Sequence, residues 1–251
     1  MEFRPITPRS IDACCTVENE GPGAPSADSL LREMDRAGLD MAVIHPPDRC
    51  FAFENGEGNG LVTGAARCHP GRFLAAVTVN PWRDFAYDHL RSALDAGGRL
   101  ASFSPGLQGF NPSTRLLDPL LEKLARSHPG LPVFVHTGHH SHGAPSQLFL
   151  LAGRFPEIRF IMGHSGATDY ATDVVPVCSL RPNIYVEASF ARPPGFAGRL
   201  KSVGYDRGIM GSGWPLNDLA FEWAEMRRLL PPEHRDRVLG GNLASLLGGL
   251  E

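Results

Sequence analysis

The sequence predicts an α/β protein: a single eight-stranded (β/α)8 barrel over residues 1–251, with a short helix at its C-terminal end. Three observations carry this. Eight short runs rich in β-branched or aromatic residues alternate with helix-length amphipathic segments, the order expected of parallel βα units. The 251 residues match a barrel of this kind with few insertions. Neither Gly-x-Gly-x-x-Gly after the first run nor Gly-x-x-x-x-Gly-Lys-[Ser/Thr] is present, which removes the best markers of an open-sheet nucleotide binder.

Taken in order, the strand candidates are Ile11–Cys15, Met41–Ile44, Phe73–Val79, Leu100–Phe103, Val133–His136, Arg159–Met162, Ile184–Val186 and Ile209–Gly211. Between them lie helices with readable boundaries. Ser26 or Asp28 caps LLREMDRAG, with Gly38 as the stop, because a short polar side chain satisfies the first free amides and glycine accepts the left-handed turn. Asp84 caps FAYDHLRSALDAGG, and Asp118–Pro119 opens LLEKLARSHPG, where proline suits the first helical position. Pro145 or Ser146 opens QLFLLAGRFP, and NLASLLGGL forms the terminal helix. Glycines interrupt the periodicity of 49–69, which reads as loop plus a poor helix.

Composition narrows the class. Twenty-four basic residues against 27 acidic ones, net −3, leave no electrostatic footprint for nucleic acid. No apolar run approaches the roughly 18 residues of a membrane span, and MEFRPITPRS lacks the apolar stretch of a secretory signal. Five cysteines without paired spacing read as reduced thiols, so a cytoplasmic protein is expected.

In a barrel of this type the C-terminal ends of the strands build the site. Those ends read IDACCTV, VIHPPD, FVHTGHHSHG, FIMGHSGA, IYVEAS and GIMGSGWP. Strand alternation puts Asp12, Cys14 and Thr16 on one side, and His136 and His164 are placed to converge. Two imidazoles, a thiol and a carboxylate suffice for acid–base or metal chemistry. Each residue also has a plainer reading. His136 and His164 are either catalytic or packed strand-end histidines. Cys14 is a core thiol, a group shaping the substrate's pocket, or a thiolate paired with a histidine. Asp12 orients a neighbour or accepts backbone donors. Glu187 and Ser189 are candidates to anchor a substrate's polar group, and Trp214 to fill the volume beside Gly213 and wall an apolar pocket. His139, His140 and His142 with His136 form a second metal candidate, or a solvated loop.

Together the strings IDACCT, FVHTG, MGHSGA and MGSGWP, with HPGRF, FPEIRFIMGHSG, RPNIYVEAS and GNLASLLG, resemble the amidohydrolase superfamily. The likeness is to the branch that holds aminocarboxymuconate-semialdehyde and resorcylate-type decarboxylases and several lactonases, and it spans nearly the whole chain. The resemblance implies a divalent metal held by two strand-1 histidines, a strand-5 histidine and a strand-8 aspartate. Here those positions carry Cys14, Thr16, His136 and Gly213, so the expectation is no tightly held cofactor, at most a weakly bound divalent metal such as zinc. His45 and Arg99 sit where the resemblance implies substrate contacts. The expected activity is hydrolysis of an activated lactone, ester or amide of a small molecule by His136 and His164. The alternatives are a decarboxylase, dehydratase, isomerase or cyclase working by proton shuffling, and a non-catalytic binding subunit. The resemblance also implies a homodimer.

Overall fold

The computed structural model describes residues 10–19, 23–138, 142–167 and 169–249. Eight strands run parallel in sequence order: β1 (Ile11–Thr16), β2 (Met41–His45), β3 (Phe73–Val77), β4 (Gly98–Phe103), β5 (Val133–His136), β6 (Phe160–Gly163), β7 (Ile184–Glu187) and β8 (Gly208–Ile209). The circle is closed by backbone bonds between β1 and the segment around β8. Ala13 N–H donates to Met210 O at 2.9 Å, Gly213 N–H to Cys14 O at 3.0 Å, and Thr16 N–H to Trp214 O at 2.8 Å. An Asp12 carboxylate oxygen adds to the seam by accepting the amides of Cys14 and Ser212, each at 3.0 Å.

Two apolar layers follow from strand alternation. Val43, Leu74, Leu100, Phe134, Ile161 and Ile209 fill the barrel, where Leu243, Leu246 and Leu247 of the terminal segment join them. Ala42, Ile44, Val77, Phe103, Val135 and Met162 face the surrounding helices. Both layers are buried on the scale that drives folding. In β1 the register slips between Asp12 and Cys15. Ala13 and Cys14 therefore both join the inner cluster while Cys15 joins the outer one. The expectation of strict alternation through Asp12, Cys14 and Thr16 is corrected by this bulge, which re-aims one side chain.

The helix over Ala27–Ala37 is capped as the sequence predicts: Ser26 accepts from Ser29 N–H, and Gly38 takes φ 67°. Asp84 does not cap the helix over Ala86–Asp95, whose preceding residue is Phe85 in a left-handed conformation. The larger correction lies at 49–69, which holds two helices, Asp48–Ala52 and Asn55–Cys68. Glycine is costly there by propensity, but tertiary packing recruits it. A Cβ on Gly58 would lie 2.4 Å from Cys50 Cβ and 2.8 Å from Pro46 Cβ, so the helix can approach only as glycine. Asn59 locks the approach, accepting Thr78 N–H and donating to Thr78 O, both at 2.8 Å; β3 thus stops before Thr78.

Candidate active site

The loops leaving β5 and β6 interlock through glycine and threonine. A Cβ on Gly138 would lie 2.4 Å from Ala167 N, so the two backbones touch. Thr137 Oγ1 donates to Gly163 O at 2.7 Å and accepts from Gly166 N–H at 2.9 Å. The turn after β6 holds His164, Ser165 and Ala167 at φ 64°, 43° and 44°, a conformation that costs energy for residues with side chains. β7 holds the turn in place: Glu187 Oε2 accepts His164 N–H at 2.9 Å, and Ser165 Oγ donates to Glu187 O at 2.7 Å.

This brings the predicted histidines together. His136 Nδ1 and His164 Nε2 lie 2.9 Å apart beside a cavity of about 280 Å³ that they line with Cys14, Thr16, Phe190 and Trp214. Phe51 and Phe134 pack edge-on or tilted against His136 at 5.1 and 4.8 Å between ring centres, and Phe190 packs edge-on against His164 at 4.9 Å.

A chain of hydrogen bonds fixes proton positions from one side. The Ala13 carbonyl can only accept, so His45 Nε2, 3.0 Å away, carries a proton. Burial holds His45 neutral, with its pKa lowered to about 4. Its Nδ1 therefore accepts from the Ser102 hydroxyl at 3.2 Å. Ser102 has one proton to give, so it accepts from His136 Nε2–H at 3.2 Å. Beyond the histidine pair, His164 Nδ1 and Glu187 Oε2 each lie 2.7 Å from Ser189 Oγ. That hydroxyl also has a single proton. Either Glu187 is protonated and gives to Ser189, or the histidine pair carries that proton and Glu187 is an anion. Burial raises Glu187 to about 7, because the charged carboxylate is disfavoured away from water.

The other predicted residues fall as follows. Asp12 is buried in the barrel seam, one oxygen without a partner, its pKa raised by burial. Cys14 is buried in the cavity wall, and burial followed by the Glu187 charge pushes its thiol well up. His45 lies behind His136 rather than on the cavity, and it bonds Ala13 and Ser102 instead of facing a substrate. Arg99 is a correction. It is exposed at the start of β4, the opposite end of the barrel, where it donates to Leu247 O at 3.3 Å. Trp214 walls the cavity as expected. It is Phe190, however, that fills the space beside Gly213: a Cβ there would lie 2.8 Å from that ring. His139 and His140 lie outside the described residues, and His142 is half-buried. Sequence reasoning missed Ser102; its signal is a lone hydroxyl at an inward position of β4. It also missed Gly211, where a Cβ would fall 1.8 Å from Glu187 Oε1.

For a divalent metal the family's own positions offer Cys14 and His136 but no strand-8 carboxylate. A different set does converge. One ligand atom each of Cys14, His164 and Glu187 lies within 4.8 Å of the other two. Sulfur, imidazole nitrogen and carboxylate oxygen are donors that zinc accepts, so these residues fit such an ion.

Eight parallel strands with polar side chains gathered at their C-terminal ends place the protein among the (β/α)8 barrels that carry their site there. A family model described as Amidohydrolase matches residues 22–249, and the chain belongs to that family. A search by sequence among curated proteins finds no match. Among solved structures, the fold is similar to 5-carboxyvanillate decarboxylase from Sphingomonas paucimobilis (TM-score 0.77, 16% identity, 96% of this chain and 99% of that one). It is also similar to a probable 2-pyrone-4,6-dicarboxylic acid hydrolase from Acinetobacter baumannii (0.69, 15%, 96% and 99%). A third is dihydroxybenzoic acid decarboxylase from Polaromonas, solved with manganese and the inhibitor 2-nitroresorcinol (0.73, 15%, 95% and 96%). The manganese in that barrel overturns the expectation of a site without a cofactor. No helix among the described residues is long and apolar enough to cross a membrane.

Proposed function

We propose that the protein is a lyase of its family that removes carbon dioxide from a small, planar, carboxylated molecule. The observation that carries this is the 2.9 Å contact between His136 and His164 at the cavity wall, backed by Ser189 and Glu187. A cavity of about 280 Å³ suits a single-ring acid. Two of the structural neighbours are named as decarboxylases of ring acids.

In the reaction, the bond between the ring carbon and the carboxylate carbon breaks and its electron pair stays on the ring carbon. The proton held between His136 Nδ1 and His164 Nε2 moves to that carbon, and carbon dioxide leaves. Imidazole suits this because it gives and regains a proton near neutral pH. While no cation occupies the place of the Ser189 hydroxyl, Glu187 restores the proton to the pair through Ser189. Phe51, Phe134 and Phe190 hold both rings in place and keep water from competing. The described residues lining the cavity include Glu18 and Asp48 but no Arg or Lys. Cys14, His164 and Glu187 would hold a divalent cation in place of the Ser189 relay, and the cation would supply Lewis-acid polarisation and charge balance for a carboxylated substrate.

The test is incubation with a panel of hydroxybenzoates in D2O, followed by mass spectrometry. The expected outcome is release of carbon dioxide with one deuterium at the vacated position. His136→Asn should lower turnover by about 10²–10⁴-fold, the usual worth of a proton-transfer group, with the fold unchanged by circular dichroism. The neighbour named as a probable pyrone dicarboxylate hydrolase supports a second reading, in which the same pair takes a proton from water attacking a lactone. Label from H2¹⁸O in the product, with no carbon dioxide, selects hydrolysis and ends the lyase reading.

A further inference from the structure

We infer that the divalent cation of this barrel is held on the β1, β6 and β7 side, by Cys14, His164 and Glu187, and that the thiolate makes it a zinc-type site. This deepens the functional reading, on which it rests for the cation's role in turnover and not for the existence of the site.

The geometry is that of one converging pocket. Cys14 is turned inward by the bulge in β1, His164 by the left-handed turn after β6, and Glu187 by the end of β7. Their ligand atoms lie within 4.8 Å of one another, and all three residues are buried. The point on which they converge is marked by Ser189 Oγ. It lies 2.7 Å from His164 Nδ1 and from Glu187 Oε2. Donor–cation distances of about 2.0–2.3 Å are shorter than these, so a cation takes the hydroxyl's place, and Ser189 turns aside about its one side-chain bond.

The pocket is also built for its acid. Gly211 leaves the room that Glu187 Oε1 occupies, since a Cβ there would lie 1.8 Å from that oxygen. Cys14 and Glu187 are two buried acids side by side, and each ionises more easily once a cation neutralises the other. On the opposite side of the cavity, the position that carries an aspartate in relatives is Gly213, with the Phe190 ring against it. The other sulfur–carboxylate group among the described residues, Cys50 with Glu54 and Glu57, already has its positive charge: both carboxylates bond the Arg49 guanidinium at 2.7 Å, whereas the Glu187 bonds come from amides and a hydroxyl. Thiolate and imidazole select zinc, whereas manganese prefers oxygen ligands.

The experiment is titration of the chelator-treated full chain with Co²⁺ and then Zn²⁺, read by absorbance and by calorimetry. One equivalent of Co²⁺ should give a thiolate-to-cobalt charge-transfer band in the near ultraviolet, which Zn²⁺ displaces and Mn²⁺ does not. Cys14→Ser should abolish the band and Glu187→Gln should weaken Zn²⁺ binding more than about tenfold, since each removes one of the few ligands a zinc site has. Cys50→Ser and His136→Asn should keep the band, and Ser189→Ala should bind at least as tightly as wild type. Absence of Co²⁺ binding, binding without the band, or loss of the band in Cys50→Ser or His136→Asn overturns the assignment. If Cys14→Ser does not fold, the wild-type spectrum with the Cys50→Ser control still decides. These readouts need no turnover, so failure of the substrate panel and failure of the cation site are told apart.

Discussion

Glu187 is placed by a residue with no side chain. Its carboxylate accepts from His164 N–H, Ser189 N–H and Ser189 Oγ–H in one arrangement, and Gly211 is the floor beneath it. A methyl group at that floor competes with the carboxylate for the same volume. Gly211→Ala should therefore cost about 1–3 kcal/mol, the usual penalty of overpacking a buried site, read as a lower urea midpoint. A midpoint equal to wild type would mean the floor is softer than the distances say. His45 has a different role in the fold from the one its position in the sequence suggests. The sequence places it at a strand end, which is where substrates bind; the fold turns its ring behind His136, where it anchors the direction of the hydrogen-bond chain. Nothing in the local sequence VIHPPD distinguishes these, because the partners, Ala13 and Ser102, come from other strands.

At the scale of elements, the contrast lies within one helix. Asn55–Cys68 contains four glycines that local propensity counts alike, and the fold separates them. Gly58 abuts Cys50 and Pro46, whereas Gly56, Gly60 and Gly64 face open space. Gly60→Ala should raise stability by about 0.5–1 kcal/mol, because alanine is the better helix former. Gly58→Ala should lower it by about 1–3 kcal/mol through the clash. Paired urea melts check both signs, and an equal effect at the two positions contradicts this account. The strands were more legible than the helices: Val133–His136 is the strand the residues predict, to the residue. Short runs of Val, Ile and Phe between polar turns leave few alternatives. The β1 bulge was illegible because the extra residue is defined only by its pairing with Met41–His45.

For the molecule as a whole, burial of His45 links stability to pH. Its pKa falls from the usual 6.5 to about 4 because burial disfavours the charged ring. The unfolded chain binds that proton more readily, so the contribution is complete above 6.5 and is lost as pH falls from 6.5 to 4. The full effect is about 3 kcal/mol, because a tenfold difference in proton affinity between the folded and unfolded chains corresponds to about 1.4 kcal/mol. Urea melts of wild type against His45→Asn across that window should show a wild-type curve that falls more steeply on acidification. Parallel curves would remove His45 as the cause.

The chain order of short apolar runs and amphipathic helices determined the barrel on its own. Alternating strands and helices have few ways to bury both faces of a parallel sheet, and each βα unit states its own boundaries. The motifs FVHTG and MGHSGA likewise pointed to His136 and His164, since strand ends carry the site in such a barrel. What only the tertiary structure decided is which groups meet them: Ser102 from β4, Glu187 above Gly211, Phe190 beside Gly213, and Arg99 at the far end. Those are contacts between residues tens of positions apart, set by register, bulge and close approach, and no local run of side chains encodes a distance across the barrel.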